Sequence, residues 1–139
     1  MTGSLKADHI LWRPGSIFMD RRIYFAGQLG HLLWNIQFCS DTRHFVGHNI
    51  FYDKQYINFR LPHVFCTMKA NTKILGLKRK DGRPKFPSLE ETATFYGVEF
   101  DKSQLHGSMY DSLVTYQVFC RMLEDQKVKG SVLAFLQKE

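Results

Sequence analysis

Apolar positions along this chain change their period several times, and each change marks an element. Between residues 8 and 25, short apolar runs alternate with breakers. His9-Ile10-Leu11-Trp12, Ile17-Phe18-Met19 and Ile23-Tyr24-Phe25 are separated by Pro14-Gly15 and by Asp20-Arg21-Arg22. Runs this short, bounded by turn formers and charges, are candidate strands. From Gln28 the period lengthens: Leu29, Leu32, Leu33 and Ile36 predict a helix over 29–36. Ser40-Asp41-Thr42 breaks it, and His44-Phe45-Val46-Gly47 predicts a short buried strand. Tyr56, Ile57 and Arg60 predict a helix over 54–61, stopped by Pro62. Val64-Phe65-Cys66 then predicts a strand, and 68–75 a helix.

The second half is better punctuated. Ser88-Leu89-Glu90-Glu91 is a capping box, in which the serine hydroxyl takes an orphan helix N–H and Glu91 reaches back to the cap. Leu89, Thr92, Ala93 and Tyr96 line one side of that helix, and Gly97 ends it. A helix over 108–125 follows, with Met109, Leu113, Tyr116, Cys120 and Leu123 as its expected core stripe, and a short terminal helix over 131–138. Strands alternating with helices predict an α/β fold, as a single domain over 1–139.

Composition narrows the class. With 44% apolar residues in 139, the chain has the material for one hydrophobic core. No apolar run has membrane-spanning length and the first residues have no signal-peptide character, so an intracellular, cytoplasmic protein without a membrane partner is expected. Cys39, Cys66 and Cys120 lie far apart among apolar neighbours, which predicts reduced core thiols rather than a disulfide or a zinc site. The net charge of +6 favours polyanions without choosing one. Much of it falls in Lys78-Arg79-Lys80-Asp81-Gly82-Arg83-Pro84-Lys85, a basic surface loop by its Asp-Gly turn and its proline. Such a loop is as consistent with plain solvation as with phosphate contact.

Candidate chemistry resides in two segments. Asp53 follows a predicted strand, where α/β sheets bind ligands, and Asp111 sits in the first turn of the long helix. Either aspartate alone is an ordinary helix-start acid. Two carboxylates on different elements, with His106 near one of them, are instead parts of a two-metal phosphodiesterase site. Such a site holds hard Mg²⁺ or Mn²⁺ ions about 4 Å apart on carboxylates and lets a histidine take a proton from water.

Val46-Gly47-His48-Asn49-Ile50-Phe51-Tyr52-Asp53 resembles the second motif, Val-Gly-His-Asn-x-x-Phe-Asp, of the histidine-type DEDD 3′–5′ exonucleases, the family of polymerase proofreading subunits. His106-Gly107-Ser108-Met109-Tyr110-Asp111 resembles their third motif, His-x-Ala-x-x-Asp, with Ser108 at the alanine position. Cys66-Thr67-Met68 resembles an intervening Asp-Thr-Met, with cysteine in place of the acid. The resemblance covers about residues 29–123 and implies a ribonuclease H-like fold. It also implies that Asp53 and Asp111 hold metal, that His106 is the general base, and that His48 and Asn49 lie against substrate. The cofactors would be Mg²⁺ or Mn²⁺, and the partners single-stranded DNA or RNA 3′ ends and a DNA polymerase. The family's first motif, a strand ending Asp-x-Glu, has no counterpart: the acids before Asp53 are Asp8, Asp20 and Asp41, and the first glutamate is Glu90. The expectation is therefore a domain lacking the N-terminal strands of its mixed central sheet, with a non-catalytic relic that binds a polymerase or nucleic acid as the alternative.

Overall fold

The computed structural model describes residues 11–13, 16–18, 22–26, 43–55 and 61–138. They form a mixed α/β structure on one five-stranded sheet in the order β1-β2-β3-β4-β5. β1 (Leu11–Arg13), β2 (Ser16–Phe18) and β3 (Arg22–Ala26) are an antiparallel meander. β3 runs parallel to β4 (His44–Gly47), and β4 parallel to β5 (His63–Cys66). All three short apolar runs before residue 26 therefore supply strands. The sheet has no gap at its middle, since β3 pairs directly with β4. The helix expected over 29–36 lies outside the described residues, as do Cys39 and Asp20.

Among the described residues five α-helices follow the sheet order: α1 (Ile50–Lys54), α2 (Thr67–Leu75), α3 (Leu89–Phe95), α4 (Ser108–Glu124) and α5 (Lys129–Leu136). None is long and apolar enough to cross a membrane. The capping box of α3 forms as its residues dictate. Glu91 N–H donates to Ser88 Oγ at 3.1 Å, and Ser88 N–H donates to Glu91 Oε2 at 2.8 Å. Gly97 (φ 69°) turns the chain out of the helix. At α2 the N-cap is Cys66, whose Sγ accepts from Lys69 N–H at 3.5 Å, so a weak sulfur acceptor does what a carboxylate commonly does.

Register divides the parallel strands into two faces. Ile23, His44 and His63 form one row and Phe25, Val46 and Phe65 the next, on the same side. α4 and α5 cover that side. Phe25 meets Tyr116 and Phe119 edge-on, with centroids 5.6 and 5.4 Å apart, and Phe135 of α5 stands against Phe65 and His44. Each fully buried aromatic of this kind contributes roughly 1.5–3 kcal/mol. The opposite face is a smaller core of Phe45, Ile50, Leu61 and Cys66.

The expected core stripe of α4 is rotated. Val114, Val118, Phe119 and Met122 are buried together with Leu123, whereas Met109 is 46% exposed and Tyr116 and Cys120 lie on the flank. Apolar residues flank the stripe on both sides in sequence, so the sheet selects the face and local spacing does not. Burial pushes the Cys120 thiol up to about 11, and Cys66 and Cys120 are both free thiols. A buried polar cluster locks the helices together: Asn71 of α2 donates to Thr67 O and Met122 Sδ, and Tyr96 OH donates to Asn71 Oδ1. Burial pushes the Tyr96 hydroxyl up to about 12, so it remains a donor at physiological pH.

Candidate active site

β4 ends at Gly47, and the chain turns back at once. A Cβ on Gly47 would sit 2.9 Å from Ile50 Cβ, so only glycine allows Ile50 to pack on the strand end. Asn49 takes the left-handed conformation (φ 64°), which asparagine tolerates better than most residues, and Tyr52 N–H donates to Asn49 O at 3.0 Å. A helix therefore starts at Ile50, and the helix predicted over 54–61 falls largely outside the described residues. Asp53 lies within α1 instead of opening a helix. The Asp53 side chain and residues 56–60 lie outside the described residues.

His48 is the keystone of this turn. Its Nε2 is 2.8 Å from the Pro87 carbonyl, and its Nδ1 is 2.9 Å from Thr67 Oγ1. A carbonyl can only accept, so Nε2 carries the proton. In the neutral ring Nδ1 then accepts from the Thr67 hydroxyl. Burial lowers the pKa of His48, with the Pro87 contact opposing, which favours that neutral tautomer. Both ring nitrogens are thus engaged inside the protein. His48, expected against substrate, is placed with its ring between Thr67 and Pro87. Asn49 is exposed at the tip of the turn.

The second segment is built differently. Residues 101–107 form a loop knitted by its own groups. Asp101 Oδ1 accepts from Ser103 N–H and Oγ, and Asp101 Oδ2 from Gln104 Nε2. Those contacts, the Ser103 hydroxyl first, hold the Asp101 carboxyl below its usual range. Tyr110 OH accepts from Asp101 N–H, tying the loop to the first turn of α4. His106 is exposed with a left-handed backbone (φ 73°), and its N–H donates to Asp111 Oδ1 at 2.9 Å. The Asp111 carboxylate is half-buried, and its pKa is raised by desolvation against the opposing His106 N–H and imidazole.

α4 meets Phe25 of β3 through Tyr116 and Phe119, and α5 stands against His44 of β4 through Phe135.

A desolvated carboxylate is a good hard-oxygen ligand, and Asp111 fits that role. One carboxylate does not make a two-ion site, however. Among the described residues no group of three or more histidine, cysteine, aspartate or glutamate side chains is placed to hold a metal. Sequence patterns also gave no sign of Thr67 and Pro87 as partners of His48. A main-chain carbonyl has no side-chain signature, although Pro87 does sit directly before the capping box. Comparison of the chain with protein-family models, with curated proteins and with solved structures finds no match.

Proposed function

We propose that this chain is a 3′–5′ exonuclease-like domain of the ribonuclease H-like kind, acting on single-stranded nucleic-acid 3′ ends. The observation that carries it is the pairing of an exposed imidazole with a half-buried carboxylate on one short, self-bonded loop: His106 N–H holds Asp111, and its own side chain stays at the surface. A mixed sheet packed against the long helix that carries Asp111 is in keeping with the same assignment. Asp53 and Asp111 are the residues that would hold Mg²⁺ or Mn²⁺, and the ions when bound would supply activated water and charge compensation for the phosphate. His106 would take the proton from the attacking water. The Gly47–Asn49 turn, fixed by His48, sets the start of α1 and hence the position of Asp53.

The test is trimming of a 5′-labelled oligonucleotide in Mn²⁺. Stepwise loss from the 3′ end is expected, falling about 10²- to 10⁴-fold in His106→Ala and blocked by a 3′-terminal phosphorothioate. Activity unchanged in both His106→Ala and Asp111→Asn would remove these residues from the chemistry.

A second reading has its own observation. The chain contains no Asp-x-Glu, and the described carboxylates do not assemble a metal site. A non-catalytic domain that binds nucleic acid or a polymerase would give salt-sensitive binding without trimming, unchanged in Asp111→Asn.

A further inference from the structure

The basic stretch after α2 is an ordered hairpin. Lys78 bridges Pro84, Arg79 N–H donates to Arg83 O at 2.8 Å, and Lys85 N–H donates to Leu77 O at 2.9 Å. Gly82 takes the left-handed position at its tip (φ 85°). The hairpin carries five cations, Lys78, Arg79, Lys80, Arg83 and Lys85, against Asp81 alone. Asp81 lies 3.9 Å from Arg79 and 3.5 Å from Arg83, and Lys85 pairs with Glu91. No described residue forms an ion pair with Lys78 or Lys80. At the hairpin's base Phe86 is 60% exposed, and the next residue is Pro87, whose carbonyl binds His48. On the other side of that bond, three residues after His48, Phe51 is 44% exposed with Lys69 Nζ 4.1 Å above its ring. The hairpin's cations, with the exposed Phe86 at its base, thus continue directly into the residue that binds His48 at the end of β4.

We propose that the hairpin of residues 77–87 is a single-strand-binding arm of this domain. Phe86 stacks on a base, Lys78 and Lys80 contact phosphates, and the His48–Pro87 bond aims the strand at the His106–Asp111 loop. The inference rests on the nuclease-like reading and specifies which surface holds its substrate. Cations alone would suit any polyanion. The exposed ring selects single strands, because a duplex hides its base faces whereas an unpaired strand offers them to aromatic side chains.

The test uses the full chain and fluorescein-labelled dT15 in EDTA, followed by anisotropy, so that binding is read without cleavage. Phe86→Ala is expected to weaken binding at least about five-fold, since a stacked base is worth about that or more. Phe86→Trp should keep the affinity, because it keeps a stacking face. Lys78→Ser/Lys80→Ser should reduce the slope of log affinity against log salt by about 1.4, at roughly 0.7 per phosphate contact on single strands. Unchanged melting temperatures would show that the exposed substitutions leave the fold intact. If wild type and Phe86→Ala bind dT15 equally, the arm is wrong and the nuclease-like reading stands. If binding responds to the lysines but not to Phe86, the surface is a general polyanion site, and the arm is equally wrong. If wild type does not bind dT15 at all, both fail.

Discussion

The two histidines of the candidate site have similar local surroundings in sequence and opposite situations in the structure. His48 and His106 each lie beside a residue in, or themselves adopt, a left-handed backbone conformation, and each precedes a helix with an aspartate five residues on from the histidine. His48 is held from both sides, by a carbonyl and a hydroxyl, and is desolvated. His106 presents its main chain to Asp111 and leaves its ring at the surface. One histidine therefore acts as a fastener between segments, and the other is an exposed residue beside a carboxylate. A motif letter alone does not say which.

The sharpest way to break this contrast is to delete each ring. His48→Ala strands the buried Pro87 carbonyl, leaves the Thr67 hydroxyl only its longer contact with Gly47 O at 3.4 Å, and removes a half-buried ring; a buried polar group left without a partner costs about 1–3 kcal/mol. A total loss of about 2–4 kcal/mol, measured by urea unfolding, is expected. His106→Ala should change stability by less than about 0.5 kcal/mol while removing whatever trimming activity is present. Equal losses in the two variants would mean that both rings are structural.

A gentler test uses pH. The unfolded imidazole titrates near 6.5, and burial holds that of folded His48 lower. Between the two values the unfolded chain binds a proton that the folded chain does not. The stabilising contribution is therefore complete above about pH 6.5 and is lost as pH falls toward the folded pKa. The decline is at most about 1.4 kcal/mol per pH unit for one such group. It should be visible as a falling melting temperature from pH 7.5 to 5.5, and it should flatten in His48→Gln. A slope that persists in the variant would assign the pH response elsewhere.

How much of this was legible follows from where each interaction's partners lie. The α3 cap could be written down from Ser88 and Glu91, because its two hydrogen bonds join residues three apart. The strand His44–Gly47 was equally plain as an apolar run between breakers. The clamp on His48 was not, because its partners lie 19 and 39 residues away and one of them is a main-chain oxygen. The start of α1 at Ile50 is not written in helical spacing either: it follows from the left-handed Asn49 and from Gly47, which leaves room for Ile50 on the strand end. The face of α4 was missed because helical spacing cannot rank neighbouring apolar stripes; contact with Phe25 and Val46 does.

The smallest expected effect separates the roles most cleanly. His106 holds φ at 73°, a conformation that costs a side-chain-bearing residue roughly 1–2 kcal/mol and glycine almost nothing. Glycine also makes the unfolded chain more flexible, which offsets roughly 0.5–1 kcal/mol of that gain. His106→Gly should therefore be as stable as wild type or more so by up to about 1 kcal/mol. The N–H that holds Asp111 belongs to the main chain and survives the substitution. A protein that melts no lower but has lost trimming would identify His106 as a residue kept in strain for its ring. Destabilisation by more than about 1 kcal/mol would instead mean that the imidazole fastens its loop as His48 fastens the strand end.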